Sequence, residues 1–285
     1  MQWEILLSFS ILLGAFGNLF HRLIMKQESS DARAQTVVYM GLGGIIALVL
    51  SIVFNQFEIP TIELIPKFIF LTVTAVIGSI LMFNAYKLLE ASSVVIFMAS
   101  QPLWTMFNSF IFLNEQPTFP KIIGASFIFA GIVISVYQKG KLNLNKGAYF
   151  ALLAAFIWSF YNITGFSIVQ TMSVFSYQFY GSILPAITLL LFQPKTLKKI
   201  PFYFKKTNAI AIVIVTFIET LVGILFYMAY QNGRNASEIM PLGSTQILFT
   251  VIFAILILKE RKMIKQKILG VVIASLGSFF ILYFR

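Results

Sequence analysis

Apolar runs of roughly twenty residues recur almost from end to end of the chain, divided by short polar joints, and each run has the length a helix needs to cross the hydrocarbon core of a bilayer. The pattern predicts ten helices, over 3–25, 36–56, 67–89, 92–113, 119–138, 147–169, 174–192, 208–230, 235–258 and 264–284. Proline marks several joints: Pro60 and Pro66 before the third helix, Pro117 and Pro120 before the fifth, Pro194 and Pro201 before the eighth. The third helix runs almost directly into the fourth at Glu90-Ala91-Ser92, which calls for a tight turn there. The opening Met1-Gln2-Trp3-Glu4 lacks the basic start of a cleaved leader, so the first run is expected to be a retained span.

Composition agrees with the pattern. Of 285 residues, 59% are hydrophobic and 11% charged, and the mean hydropathy is +0.88. A water-soluble fold has no place to bury that much apolar surface, whereas a bilayer accepts it. The net charge of +11 comes from Lys and Arg scattered through short joints, so no surface can track a nucleic-acid backbone. The chain has no cysteine, which excludes disulfides, thiolate metal sites and cysteine nucleophiles. All basic residues except Lys67, Lys121, Arg234 and Arg285 fall in the odd-numbered joints. The positive-inside rule places those joints in the cytoplasm and both termini outside.

The chain also repeats itself. Shifted by 145 positions, Gln101 falls on Gln246, Leu103 on Leu248, Thr105 on Thr250, Leu113 on Leu258 and Glu115 on Glu260. With one further residue inserted, Gly124 and Gly131 meet Gly270 and Gly277, and a related shift lays Phe16-Gly17 over Trp158-Ser159. A unit with five spans leaves the membrane on the side opposite its entry, so its tandem copy sits inverted. The expected architecture is an all-α membrane protein of two inverted five-helix repeats, residues 1–140 and 146–285. Pro102 … Leu113-Asn114-Glu115 with Gly124 and Gly131, echoed by Leu258-Lys259-Glu260 with Gly270 and Gly277, resembles the EamA-type transporters of the drug/metabolite transporter superfamily. The resemblance covers essentially the whole chain. It departs from the family where Phe16-Gly17 and Trp158-Ser159 stand for the usual Trp-Gly, and where Ile247 occupies the position matching Pro102. Members are usually drawn with both termini in the cytoplasm, against the loop charges.

Polar groups inside a bilayer are costly unless they face protein, solute or water, so they are the informative positions. Gln101, Trp104, Thr105 and Asn108 share a face of the fourth helix by spacing, and Gln246, Phe249 and Thr250 form the matching face of the ninth. Each face stands beside a helix-disrupting proline, Pro102 or Pro241. These faces read either as a central binding site at the repeat interface or as hydrogen-bonding glue between helices. Gly14, Gly17, Asn18 and His21 share a face of the first helix, and Trp158, Tyr161, Asn162 and Gly165 one of the sixth. His21, beside Arg22, reads as interfacial, as does a Lys87–Glu90 pair; Glu115 and Glu260 read as loop-fixing groups at the membrane edges.

Glu219 is the sharpest single residue. It lies mid-helix between Ile212–Phe217 and Leu221–Phe226, with Thr216, Gly223, Phe226 and Tyr230 on its face and Ala75 as its repeat-mate. An ionised carboxylate there needs a partner, a cation or water; otherwise it stays protonated. It is therefore a candidate proton carrier or amine ligand, or else a protonated group bonded to a neighbouring helix. Metalloprotease, nucleophile-elbow, phosphate-loop and metal-ligand motifs are missing, so no enzyme, cofactor, metal site or direct ATP coupling is expected. The expected function is a secondary transporter, an exporter by expectation, moving small organic metabolites by alternating access. The resemblance implies amino acids and related metabolites, and Glu219 is the candidate site for proton coupling. Alternatives are an exporter of cationic amphipathic drugs, and a non-transporting membrane scaffold or intramembrane enzyme. The partners expected are the solute, protons and the lipid bilayer, in the inner membrane of a prokaryote. A monomer suffices for a pathway, and a homodimer is compatible with it.

Overall fold

The computed structural model describes residues 2–116, 118–138, 141–142, 144–233, 235–260 and 263–283. The described residues form twelve α-helices: α1 (Trp3–Met25), α2 (Ala32–Val53), α3 (Ile65–Leu88), α4 (Ala91–Met98), α5 (Gln101–Phe112), α6 (Phe119–Val136), α7 (Lys146–Val169), α8 (Val174–Phe192), α9 (Lys206–Gln231), α10 (Ala236–Gly243), α11 (Gln246–Leu256) and α12 (Ile264–Tyr283). A two-residue antiparallel pair joins α6 to α7, with Tyr137 opposite Leu142. Among the described residues, eight helical segments are long and apolar enough to cross a membrane, counting α4 with α5 and α10 with α11 as one each. α6 and α12 add two further apolar helices of 18 and 20 residues.

Local chemistry sets the ends. Asp31 caps α2, its carboxylate accepting from the backbone N–H of Arg33 and Ala34 at 3.0 and 3.2 Å, so this helix starts at Ala32 and not at residue 36 as its hydropathy suggested. Asn145 caps α7 in the same way through Ala148 N. The basic joint before α9 is not a plain loop: Pro194–Phe204 winds into a 3-10 helix whose Tyr203 is buried. Its hydroxyl donates to Asp31 O at 2.8 Å, and Lys199 reaches Asp31 Oδ2 at 2.6 Å, fastening this joint to the one before α2.

The fourth and ninth sequence runs, each expected to carry a helix-disrupting proline, are each broken. α4 ends at Met98 and α5 restarts at Gln101 with Pro102 in its first turn, where the missing N–H costs nothing. α10 ends at Gly243, two residues past Pro241, and α11 restarts at Gln246.

The packing exchanges the two halves of the chain. α1 packs on α9 and α3 on α7; α4 meets α11 and α10 meets α5; α2 faces α8 and α6 faces α12. The main contacts between a helix of one half and a helix of the other recur with the halves swapped: α5 on α7 answers α11 on α1, and α2 on α9 answers α8 on α3. The α6–α12 seam is the closest. A methyl on Gly131 would overlap Gly270 O, and one on Gly277 would overlap Gly124 O, so both glycines let backbones touch where any side chain would wedge them apart. Outward-facing Ile45, Val49, Ile69, Val73, Phe107, Ile122, Phe129 and Val213 remain exposed, the apolar coat expected of helices that face lipid.

Candidate functional site

The two helix breaks meet at the centre of the bundle, beside a cavity of about 310 Å³. Both halves line it. Asn18 and His21 come from α1, Tyr39 from α2, Tyr86 from α3, and Gln101 with Pro102 from the start of α5. The second half supplies Trp158, Tyr161 and Asn162 from α7, Gln178 from α8, Glu219 and Tyr227 from α9, and Gln246 from the start of α11. A void of this size is at the small end of ligand sites, and its mixture of aromatic walls and a few amides is typical of them.

Glycines make the polar lining fit. Built as alanine, Gly14 would press its methyl into the Gln246 amide, Gly17 into the Glu219 carboxylate and Gly223 into the Gln178 amide. Gly14 and Gly17 of the first half thus seat polar side chains of the second half.

The predicted residues divide into three groups. Asn18, Gln101, Trp158, Tyr161, Asn162, Glu219 and Gln246 line the cavity, as does the helix-breaking Pro102. Thr105, Asn108, Thr250 and Pro241 are buried beside it and serve packing. Asn108 Nδ2 donates to Ser159 Oγ at 3.0 Å, and Thr250 Oγ1 accepts from Asn18 Nδ2 at 3.2 Å while donating to Gln246 O. Trp104 and Tyr230 lie away from it. Trp104 is 44% exposed on the outer surface with its ring edge-on to Phe156. Tyr230 packs on Phe166 at 4.4 Å and accepts from Gln170 Nε2 at 3.0 Å.

Asn18 is pinned on both sides, since Tyr86 Oη donates to its Oδ1 at 2.6 Å. His21 is not interfacial: it is 2% exposed, among Tyr39 and Phe83 at 5.1 Å and Tyr86 at 6.0 Å, with Gln35 beside its Nδ1. Trp158 Nε1 is buried without a hydrogen-bond partner, although Trp158 lines the cavity. Glu219 makes no hydrogen bond or ion pair to any described residue, and it is the sole Asp or Glu in a lining without Lys or Arg. Arg22, the nearest basic group in sequence to the cavity face of α1, is occupied by the carbonyls of Tyr86 and Lys87 at the end of α3.

Two carboxylates hold the broken helices in place. Glu115, after α5, accepts from Ala236 N and Ser237 N at 3.0 Å each, capping α10 of the other half. Glu260, after α11, accepts from Ala91 N at 2.8 Å, Ser92 N at 3.0 Å and Ser92 Oγ at 2.7 Å, capping α4. The residues before them, Asn114 and Lys259, both adopt positive φ, 54° and 55°, to turn the carboxylates inward. Lys121 Nζ reaches Ser237 Oγ at 2.8 Å and Lys267 Nζ reaches Ser92 Oγ at 2.7 Å, again in matching positions. These glutamates therefore do more than fix a loop. The expected Lys87–Glu90 pair does not form: Lys87 donates to Ser30 O and Glu28 O, while Glu90 pairs with Lys267 at 2.6 Å.

Several lining residues were not singled out in the sequence. Gln178 carried a signal, an amide within the apolar run of α8, whereas Tyr39, Tyr86 and Tyr227 look like any membrane aromatic.

Comparison with known proteins bears on this geometry. The model of the EamA-like transporter family matches residues 1–137 and again residues 145–283. A curated relative in Archaeoglobus fulgidus, described as an uncharacterized transporter, is 23% identical over 188 residues, 65% of this chain and 64% of the relative. The chain thus matches a little under two thirds of that protein's length. A solved crystal structure superposes with a TM-score of 0.71 over 98% of this chain and 95% of its own at 14% identity, a likeness of fold alone.

Proposed function

The chain belongs to the EamA-like transporter family, within the drug/metabolite transporter superfamily; from that premise we propose that it is a membrane transporter, a secondary transporter of small organic metabolites that works by alternating access. In this reading ten spans form two inverted five-helix repeats, with α4–α5 and α10–α11 as the broken fourth and ninth spans. The observation that carries it is the central cavity, placed where the two breaks meet and lined from both halves. Inverted repeats supply two nearly equivalent packings of one pattern, and discontinuous helices at their interface are a recurrent way to build a solute site in a bilayer.

Asn18, Gln101, Asn162 and Gln246 offer donors and acceptors to a polar head, while Trp158 and Tyr161, edge-on at 4.6 Å, offer an apolar wall. Glu219 faces the same void and is the group through which a proton gradient would couple to transport, in an export direction. Amino acids, the class implied by the family, bring an ammonium that suits this lining, but their carboxylate meets no cation in it. The setting is the cytoplasmic membrane of a prokaryotic cell, in keeping with the archaeal relative, and one chain contains the whole pathway.

The test is flux. Purified protein in sealed liposomes is offered a panel of labelled amino acids and amines with and without an imposed pH gradient. Protein-dependent movement that saturates, and that Gln101→Ala and Gln246→Ala reduce, is the expected result. The absence of any protein-dependent flux across the panel would favour a scaffold or an intramembrane enzyme and overturn the proposal.

A further inference from the structure

We infer that the central cavity selects organic cations, protonated or quaternary amines with an aromatic or aliphatic body, and that Gly17 is a specificity-determining residue because it sets where the Glu219 carboxylate stands. The inference rests on the cavity being the transport site, and it narrows what that site takes.

The charge balance of the lining is the first ground. Among the described residues Glu219 is the sole acid in the lining and no Lys or Arg faces it. The titratable groups around the void are His21, Tyr39, Tyr86, Tyr161, Tyr227 and Glu219 itself. Arg22 is turned to the α3 carbonyls and lies in the field of Glu90 and Glu260, so it cannot serve as a counter-ion. A carboxylate inside a membrane bundle is held as a charge by pairing with an opposite charge. An ammonium entering the cavity is that charge. A carboxylate-bearing solute, by contrast, would place a second negative group beside Glu219 with nothing to offset it.

The walls are the second ground. Tyr39, Tyr86 and Trp158 surround the same space, and aromatic faces attract cations that have shed their water. The third ground is the seat of the carboxylate. Glu219 lies back against Gly17, where a methyl group would overlap its Oε1. That recess keeps the carboxylate at the wall and leaves the centre free for a solute head. The atom a Gly17→Ala methyl would strike is the end of a flexible side chain, so this variant moves the carboxylate and leaves the helices in place. The repeat gives no counterpart, because Ala75 stands at the position matching Glu219.

The experiment uses the purified full chain and four solutes that share one ring: benzyltrimethylammonium, phenylalanine, benzyl alcohol and benzoate. Equilibrium binding and liposome uptake are measured for wild type, Glu219→Gln, Gly17→Ala and Gly41→Ala. The last adds a methyl only in ordinary contact with Ala186 Cβ and controls for helix perturbation. The cation is expected to bind about tenfold or more tightly than the other three, as a buried charge gaining a partner does. Glu219→Gln and Gly17→Ala should both remove that preference, and Gly41→Ala should keep it. Transport of phenylalanine, the alcohol or benzoate with no preference for the cation would overturn the inference and leave the transporter reading standing. Equal cation binding by wild type and Glu219→Gln would overturn it likewise. If none of the four solutes, and none of the wider panel, binds or crosses, the transporter reading itself falls and the inference falls with it.

Discussion

Replacing Glu260 with alanine is expected to destabilise the protein more than any other single change at the membrane edge. The carboxylate accepts three hydrogen bonds, two of them from the first backbone N–H groups of α4, at Ala91 and Ser92, both residues fully buried. These donors have no partner within their own helix. Left unsatisfied in a buried place, each costs about 1–3 kcal/mol, so the pair comes to about 2–6 kcal/mol. The Ser92 hydroxyl and Lys267 keep each other, and Lys267 keeps Glu90, so the remainder of the cluster survives. For a chain of this length the loss corresponds to a fall of about 3–10 °C in apparent melting temperature. Glu260→Gln retains one carbonyl acceptor and should fall between alanine and wild type. The assay is the temperature at which the monodisperse peak is lost on size-exclusion chromatography in detergent. Glu28→Ala, at an exposed position whose backbone oxygen alone receives Lys87, serves as the control. A Glu260→Ala protein melting with the Glu28→Ala control would refute the cap as a source of stability.

Other outcomes follow from the same geometry. Gly131→Val should separate α6 from α12, because the obstacle is the Gly270 carbonyl and not a movable side chain; a cost of about 1–3 kcal/mol is expected for overpacking of this kind, read as the same peak loss. Burial opposes ionisation of Asp31, but the Lys199 hydrogen bond, the Ala34 N–H, the Lys199 charge and the Arg33 N–H together hold its carboxyl below the usual carboxylate range. A group with a depressed folded value stabilises the fold above its unfolded value and loses that contribution as pH falls through the folded one. Thermal scans below about pH 4 should therefore show wild type losing its advantage over Lys199→Ala, a margin of about 1 kcal/mol or less for so exposed a pair. Glu219→Gln should abolish the response of flux to an imposed pH gradient in liposomes while leaving the melting temperature unchanged or raised, since an unpaired buried carboxylate is removed. Because the chain has no cysteine, a single Lys198→Cys reports topology directly. An impermeant maleimide should label it only after the cells are opened, and labelling of intact cells would contradict the loop-charge orientation.

How much of this was legible depends on the range of the interaction. Hydropathy alone located every long helix, because bilayer thickness imposes one length on all of them. Boundaries moved where a side chain intervened: Asp31 drew the start of α2 forward to Ala32. The helix breaks were announced by Pro102 and Pro241, but the break itself lies at Ala99–Ser100 and at Ser244–Thr245, set by how the halves pack. Helical spacing placed Gln101 and Trp104 on one face, yet at about 100° per residue Trp104 stands some 60° to one side of Gln101 and Thr105 some 40° to the other. Since α5 touches the cavity only with its first turn, that difference sends Trp104 to the outer surface and Thr105 into the buried interior. The partners of Glu115, Glu260, Glu90 and Lys87 could not be read at all. Each lies in the opposite half or in a joint far along the chain, and charge spacing along one helix carries no information about it.

The repeat separates what holds the protein from what distinguishes it. Residues with a repeat-mate mostly do the same work twice: Glu115 and Glu260 cap the facing broken helix, Lys121 and Lys267 reach the capped serine, Gly131 and Gly277 admit the partner backbone, and Gln101 and Gln246 open the second half of each broken span onto the cavity. On the alternating-access proposal, two faces that take turns at one site need such pairs, because each must hold the same contacts in both orientations. A solute, however, has one charge and one shape, and it meets the same midplane group whichever side is open. The group that recognises it therefore has no reason to be duplicated. Glu219, with Ala75 as its mate and Gly17 beneath it, is unpaired in both senses, by symmetry and by chemistry.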